Sequence, residues 1–244
     1  MKTRIHNSII VVASILLVFS VHAQEFIEGT ISNYTADGGS LVSYDMISKG
    51  TIEIGTIDQE GHFKIPLNEN YLATIKEKAE NTKEPEGWEI EFKTVATTFE
   101  CSGLYVEYDN GEVQVAGIPE LQVTVKDEEW DESVMFAVSN PDIANWLYSY
   151  GEKNSAKGYY LQWFFLEEEA SAKAECTMPT YTGNDDENYN NVTILNLKLQ
   201  KGWNIIKYDI TEVFTDTNGK IIPSKTEIIS IDSLPDDVQW VVVK

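Results

Sequence analysis

The chain is poor in the side chains that enzymes most often recruit for chemistry. Its 244 residues include three histidines, two cysteines and a single arginine, Arg4. The guanidinium fork is the usual bidentate reader of phosphate and carboxylate, so its scarcity argues against nucleotide and nucleic-acid recognition. His6 and His22 fall within residues 1–23, which leaves His62 as the one imidazole of the remainder. One imidazole cannot build a multi-histidine zinc site, and a hydrolase triad would have only His62 as its base. That residue sits in Asp58-Gln59-Glu60-Gly61-His62-Phe63, which reads as an exposed hairpin turn. Neither Cys101 nor Cys176 carries a local nucleophile motif to pair with it. Long apolar runs are also scarce, because no segment after Val21 approaches the roughly 20 apolar residues that a spanning helix needs.

The first residues read as a secretory signal peptide. Lys2 and Arg4 precede an apolar run from Ile9 to Val21, and Val21-His22-Ala23 places small or branched residues where a signal peptidase reads, so cleavage is expected before Gln24. No cysteine follows the run to accept a lipid. Processing would leave 16 lysines against 40 acidic residues, a formal charge of −24 in place of −22 for the whole chain. A field of that sign repels nucleic acid, anionic lipid and phosphorylated substrates and favours cations. The expected location is the periplasm, cell surface or extracellular space. The expected partner is a protein or a glycan, with no nucleic acid, no nucleotide and no integral membrane segment after cleavage.

Both cysteines survive processing. An even count in an exported chain invites a disulfide, which over a loop of this length stabilises by about 4 kcal/mol in the chain-entropy account. Two buried free thiols are the other reading, since both residues lie in β-like segments, Phe99 to Tyr108 and Ala170 to Met178.

Period-two alternation and glycine-bearing turns predict strands along most of the chain. Thr51–Ile57 and His62–Leu67 flank Asp58–Gly61 as a hairpin, and Gly103–Tyr108 with Glu112–Val115 flank Asp109-Asn110-Gly111 as another. Further strands are expected at Phe26–Tyr34, Leu41–Tyr44, Leu121–Val125, Ser133–Val138, Tyr159–Leu166, Val192–Leu199, Trp203–Ile210 across the turn Gln200-Lys201-Gly202, and Val238–Val243. Glu69–Asn81 has helical character. Asn140-Pro141-Asp142 caps a short helix that Gly151 ends, with Ile143, Trp146, Leu147 and Tyr150 on one face. The fold class is therefore mainly β: an antiparallel β-sandwich, one large or two tandem immunoglobulin-like, with one or two short helices. The charged connection Lys126–Glu132 divides an N-terminal β domain, 24–126, from a C-terminal one, 127–244, unless it is a loop within one domain.

Three segments carry a resemblance: Ile54–Ile65, Tyr160–Cys176 and Leu199–Tyr208. Together they resemble uncharacterised exported β-sandwich proteins of Bacteroidota-type bacteria. The resemblance implies an all-β architecture and an envelope or extracellular location, and it transfers no functional residue.

One loop has the composition of a cation site. Gly183–Asn191 gathers Asp185, Asp186 and Glu187, and hard oxygen ligands are what Ca²⁺ takes. Its spacing follows no EF-hand, and a solvated loop joining two strands is the favoured reading, so no cofactor is required and calcium is the one candidate. No catalytic residue stands out. The reading is a non-catalytic envelope or extracellular module, with Trp88, Trp130 and Tyr181 as candidate sugar-stacking rings. Its alternatives are a calcium-assisted carbohydrate-binding protein and a glycoside hydrolase built on two of the 40 acidic residues.

Overall fold

The computed structural model describes residues 25–45, 47, 49–82, 90–101, 105–125, 133–183 and 187–244. The expected signal peptide and the connection at 126–132 therefore lie outside the described residues. Strand accounts for 55% and helix for 12%, so the chain is mainly β. In chain order the elements begin β1 (Phe26–Thr30), β2 (Gly39–Asp45), β3 (Gly50–Ile57), β4 (His62–Pro66), α1 (Tyr71–Asn81) and α2 (Val95–Thr98). They continue with β5 (Glu107–Asp109), β6 (Val115–Gly117), β7 (Leu121–Val125), β8 (Val134–Val138), α3 (Pro141–Tyr148) and β9 (Gly158–Leu166). The last five are β10 (Ala170–Tyr181), β11 (Asn188–Leu199), β12 (Gly202–Thr215), β13 (Ile221–Ile231) and β14 (Gln239–Val243).

These strands form one hydrogen-bonded path in the order β1-β4-β3-β2-β7-β8-β9-β12-β13-β11-β10-β5, with β14 bonded to β8 and β6 to β9. The ladders are antiparallel apart from β11 with β13. The path crosses from the first half of the chain to the second through a narrow junction. β7 meets β8 at two positions, and β8 meets β9 only at Val138↔Tyr160.

The β3–β4 hairpin forms as its sequence predicts, because Asp58 closes the turn from its side chain. Asp58 Oδ1 accepts the Glu60 and His62 amides at 3.0 and 2.8 Å. Gly61 adopts φ +81, and a Cβ there would lie 2.9 Å from Tyr34 Cβ. Alternation then buries Ile57, Phe63 and Ile65 on one face with Ile27 and Leu41. The closing strand also contributes here: Trp240 of β14 sits 4.6 Å from Phe63, ring to ring. Its carbonyl accepts the Ser32 amide at 2.9 Å, and Ile31 bridges Trp240 just beyond β1. Bonded neighbours thus run from β1 through β4, β3, β2, β7, β8 and β14 back to the end of β1. One cluster draws on both sides of residues 126–132, joining Ile27, Leu41 and Phe63 to Leu161, Trp163 and Trp240.

Three sequence expectations fail. The Asp109-Asn110-Gly111 turn exists, with Asn110 at φ +56 and the Val113 amide donating to Asn110 O at 3.0 Å. Its flanks nevertheless part: β5 joins β10, and β6 joins β9. Both flanks are short, and each finds a longer strand to pair with than the other offers. Within the expected strand Phe99–Tyr108, Phe99 caps α2 and Cys101 makes an isolated bridge, while residues 102–104 lie outside the described part. Likewise Gln200–Gly202 turns the chain between β11 and β12, yet β13 lies between those strands, antiparallel to β12 and parallel to β11.

The sequence reading missed β13 because Pro223 looks like a breaker and its residues are uniformly half-buried, which erases alternation. Pro223 faces Val213 where β12 shifts register around Glu212, the kind of irregularity that tolerates a proline.

Helix α3 docks as its spacing predicts at Ile143, which is buried, and at the half-buried Trp146 and Leu147. Its N-cap Asn140 accepts the Asp142 amide at 3.0 Å, and Gly151 follows at φ +85. Tyr150 departs from the expected face: it lies past the helix at φ +50 and is 92% exposed. The helix ends two residues early, so the ring turns to solvent.

Candidate functional site

The narrow junction between β8 and β9 produces a concavity. The strands are bonded at Val138↔Tyr160 and then diverge, because each takes a different neighbour further along: β8 pairs Met135 and Val134 with Leu121 and Gln122, while β9 pairs Phe164 with Gly117. Residues 118–120 cross from one edge to the other, anchored by the Ile118 amide on Trp163 O at 2.9 Å. Phe136 and Ala137 on one side, and Leu161 and Gln162 on the other, have no rung across this fork.

The wedge between them is a cleft of about 200 Å³, lined by residues 118–121, 134–137 and 160–163 and by Leu147 of α3. It cuts through the sheet, so alternate residues of β9 reach it from both faces. Trp163 comes from the core side, stacked on Trp240 at 5.6 Å. Tyr160 comes from the opposite side, stacked on Tyr208 at 4.6 Å and 4°. The walls are mostly apolar, and Gln162, Tyr160 and one acidic residue, Glu120, are the polar residues among them. Burial pushes the Tyr160 phenol well above its ordinary pKa; burial, then Tyr160, does the same to Tyr208. Tyr160 is accordingly a neutral hydroxyl at physiological pH. An apolar cleft with a few convergent polar groups is the usual form of a small-ligand site.

A second, shallower depression is acidic. Asp37, Asp58 and Glu60 line it with Ser40 and Thr124, at the loops after β1 and β3. One ligand atom each from Asp58, Glu60 and His62 lies within 4.8 Å of the others, and all three residues are exposed. Asp58 is already engaged, with Oδ2 3.0 Å from His62 Nδ1 and Oδ1 holding the turn amides. Desolvation raises its pKa, but hydrogen bonds from the His62 side chain and amide, the His62 charge and the Glu60 amide outweigh it, leaving the carboxyl below its usual range. A cation there would compete with the bonds that close the turn.

The sequence-predicted residues are placed as follows. Cys101 and Cys176 form a disulfide, with Cα atoms 6.2 Å apart, tying the chain after α2 to the outer strand β10. Asp185 and Asp186 lie outside the described residues, as do Trp88 and Trp130. Glu187 knits two loops together: its Oε1 accepts the Thr217 amide at 3.0 Å, and its Oε2 accepts the Thr182 and Thr217 hydroxyls at 3.0 and 3.2 Å. Tyr181 is 58% exposed at the end of β10, away from the cleft.

Sequence reasoning missed the cleft because most of its wall residues read as core. The signal it contained was the aromatic load on both faces of β9, which also fits a buried central strand. In comparisons with protein-family models, curated proteins and solved structures, no match was found.

Proposed function

We propose that this protein is an exported, non-catalytic binding module of the cell envelope or extracellular space, and that the β8–β9 cleft is its recognition site. The observation that carries this reading is the interruption of the sheet by an aromatic-lined cleft whose ionisable groups are one carboxylate and one phenol held neutral. Glycoside hydrolysis uses two carboxyl groups flanking the bond, and Glu120 has no second acid beside it in the lining. The disulfide supports export, since such bonds persist in oxidising compartments. The N-terminal signal pattern supports it independently. The packing of strand faces on both sides of β9 and β12 favours a sandwich-like arrangement of the sheet.

Isothermal titration of the purified protein with neutral oligosaccharides and neutral peptides, followed by analysis of the recovered ligand, tests the reading. Saturable binding with the ligand returned intact is expected. New reducing ends or new peptide termini would establish an enzyme instead.

A further inference from the structure

We infer that the β8–β9 cleft takes Tyr150 of a second copy of this chain, in a reciprocal two-fold pairing. This rests on the cleft being the recognition site and adds the identity of its partner. Tyr150 is an anomaly of local structure. Its amide donates to Leu147 O at 3.0 Å, and the Gly151 amide donates to Trp146 O at 2.9 Å. That pair of bonds ends a helix through one residue in the left-handed region, a position that glycine usually fills because a Cβ is crowded there. Here the residue is Tyr150, at φ +50. Its ring gains little from its own fold, being 92% exposed. A bulky residue held in an unfavourable backbone conformation with its ring in water points to a contact outside the molecule.

The cleft matches that ring in size, chemistry and place. Its volume of about 200 Å³ compares with the roughly 150 Å³ of an apolar cavity that holds benzene, so a phenol ring fits. Ile118, Leu121, Met135 and Leu147 supply apolar walls. Glu120 and Gln162 line the cleft and are exposed, and both residue types accept from a hydroxyl. Leu147 is at once a wall of the cleft and the residue whose carbonyl holds the Tyr150 amide, so knob and hole belong to one patch. A two-fold pairing needs this, because the same surface must serve both copies. Tyr105 is nearly as exposed at 86%, but it borders a different depression beside Glu107 and Lys173. Local charge agrees: Glu152, Lys153 and Lys157 follow Tyr150, whereas Glu120 is the one charged residue described in the cleft lining. The chain charge of −22 opposes association of two copies, so the pairing is weak and strengthens as salt screens it.

Sedimentation equilibrium of the purified protein in about 0.3 M salt, from about 10 µM to about 1 mM, tests the pairing in the range expected of a small interface. The mass should rise toward that of a dimer. Tyr150→Gly and Leu147→Trp, which remove the knob and fill the hole, should each stay monomeric. The melting temperature of Tyr150→Gly should match or exceed that of the unsubstituted protein, since glycine suits the left-handed position. p-Cresol, the tyrosine side chain without its backbone, should shift the amides of Phe136, Ala137 and Tyr160–Trp163 in Tyr150→Gly and leave them unmoved once Leu147→Trp is added. A monomer at every concentration, or a dimer that survives Tyr150→Gly, would overturn the pairing. So would a melting temperature several degrees lower in Tyr150→Gly, which would show that the ring serves its own fold. Under any of these results, p-cresol shifts at those amides would leave the cleft as a site for other ligands, whereas no shift with any neutral molecule would remove the site itself.

Discussion

Tyr159 shows how one side chain couples the chain's ends to its centre. Its ring is 5% exposed, its hydroxyl donates to Asp237 Oδ1 at 2.6 Å, and the Lys207 ammonium lies 4.6 Å from the ring centroid. Burial, then the Asp237 hydrogen bond and the charges of Asp237 and Asp209, raise its pKa well above 10. Tyr160 and Tyr208 are raised as well, in both cases by burial above all. A phenol whose folded pKa exceeds its unfolded value contributes stability that is complete below about pH 10 and is lost as pH rises beyond it. Denaturant unfolding at pH 8 and again near pH 10.5 should therefore show lower stability at the higher pH, with three phenols ionising late in ultraviolet absorbance. Equal stability at the two pH values would contradict this. Tyr159→Phe should cost about 1 kcal/mol, the ordinary worth of the lost hydrogen bond.

Among the elements, local chemistry was legible and partner choice was not. The β3–β4 hairpin could be read because Asp58 and Gly61 encode its turn and the alternation on both sides agrees with it. The turn at Asn110 was equally legible, but its flanks went to β10 and β9, a decision made by distant strands. Strand β13 was hidden by Pro223, and the cleft was hidden because it arises where two ladders stop, which no local pattern records. Of the acidic residues at 185–187, only Glu187 lies among the described residues, and its oxygens accept from threonines 182 and 217.

The disulfide belongs to this scale too. It spans 75 residues and holds the segment after α2 to β10, where β5 pairs at only three positions. Replacing both cysteines by alanine should lower the unfolding free energy by about 2–4 kcal/mol and speed amide exchange in β5. Unchanged stability and exchange would show that the hydrophobic contacts around Leu166 and Leu197 hold this edge alone.

For the whole molecule, the consequential feature is that the last strand completes the first core. Trp240 packs on Phe63 and Trp163, and a Cβ on Gly29 would meet its Nε1 at 2.4 Å. A fragment of residues 24–126 is therefore expected to lack dispersed amide resonances, and Trp240→Ala to cost about 3–5 kcal/mol in the intact chain. A well-dispersed spectrum from the fragment would instead support two separable domains.

The same closure puts β14 along one edge of β8, while β7 and β9 share the other edge and leave Phe136 and Ala137 unpaired between them, which is how the cleft arises. An amide chemical-shift map of the purified protein, titrated with a panel of neutral small molecules, tests the central claim most directly. The perturbations should concentrate at Phe136, Ala137 and Tyr160–Trp163, and they should vanish in Leu147→Trp. Perturbations centred on Asp37, Asp58 and Glu60, or unchanged in Leu147→Trp, would contradict it.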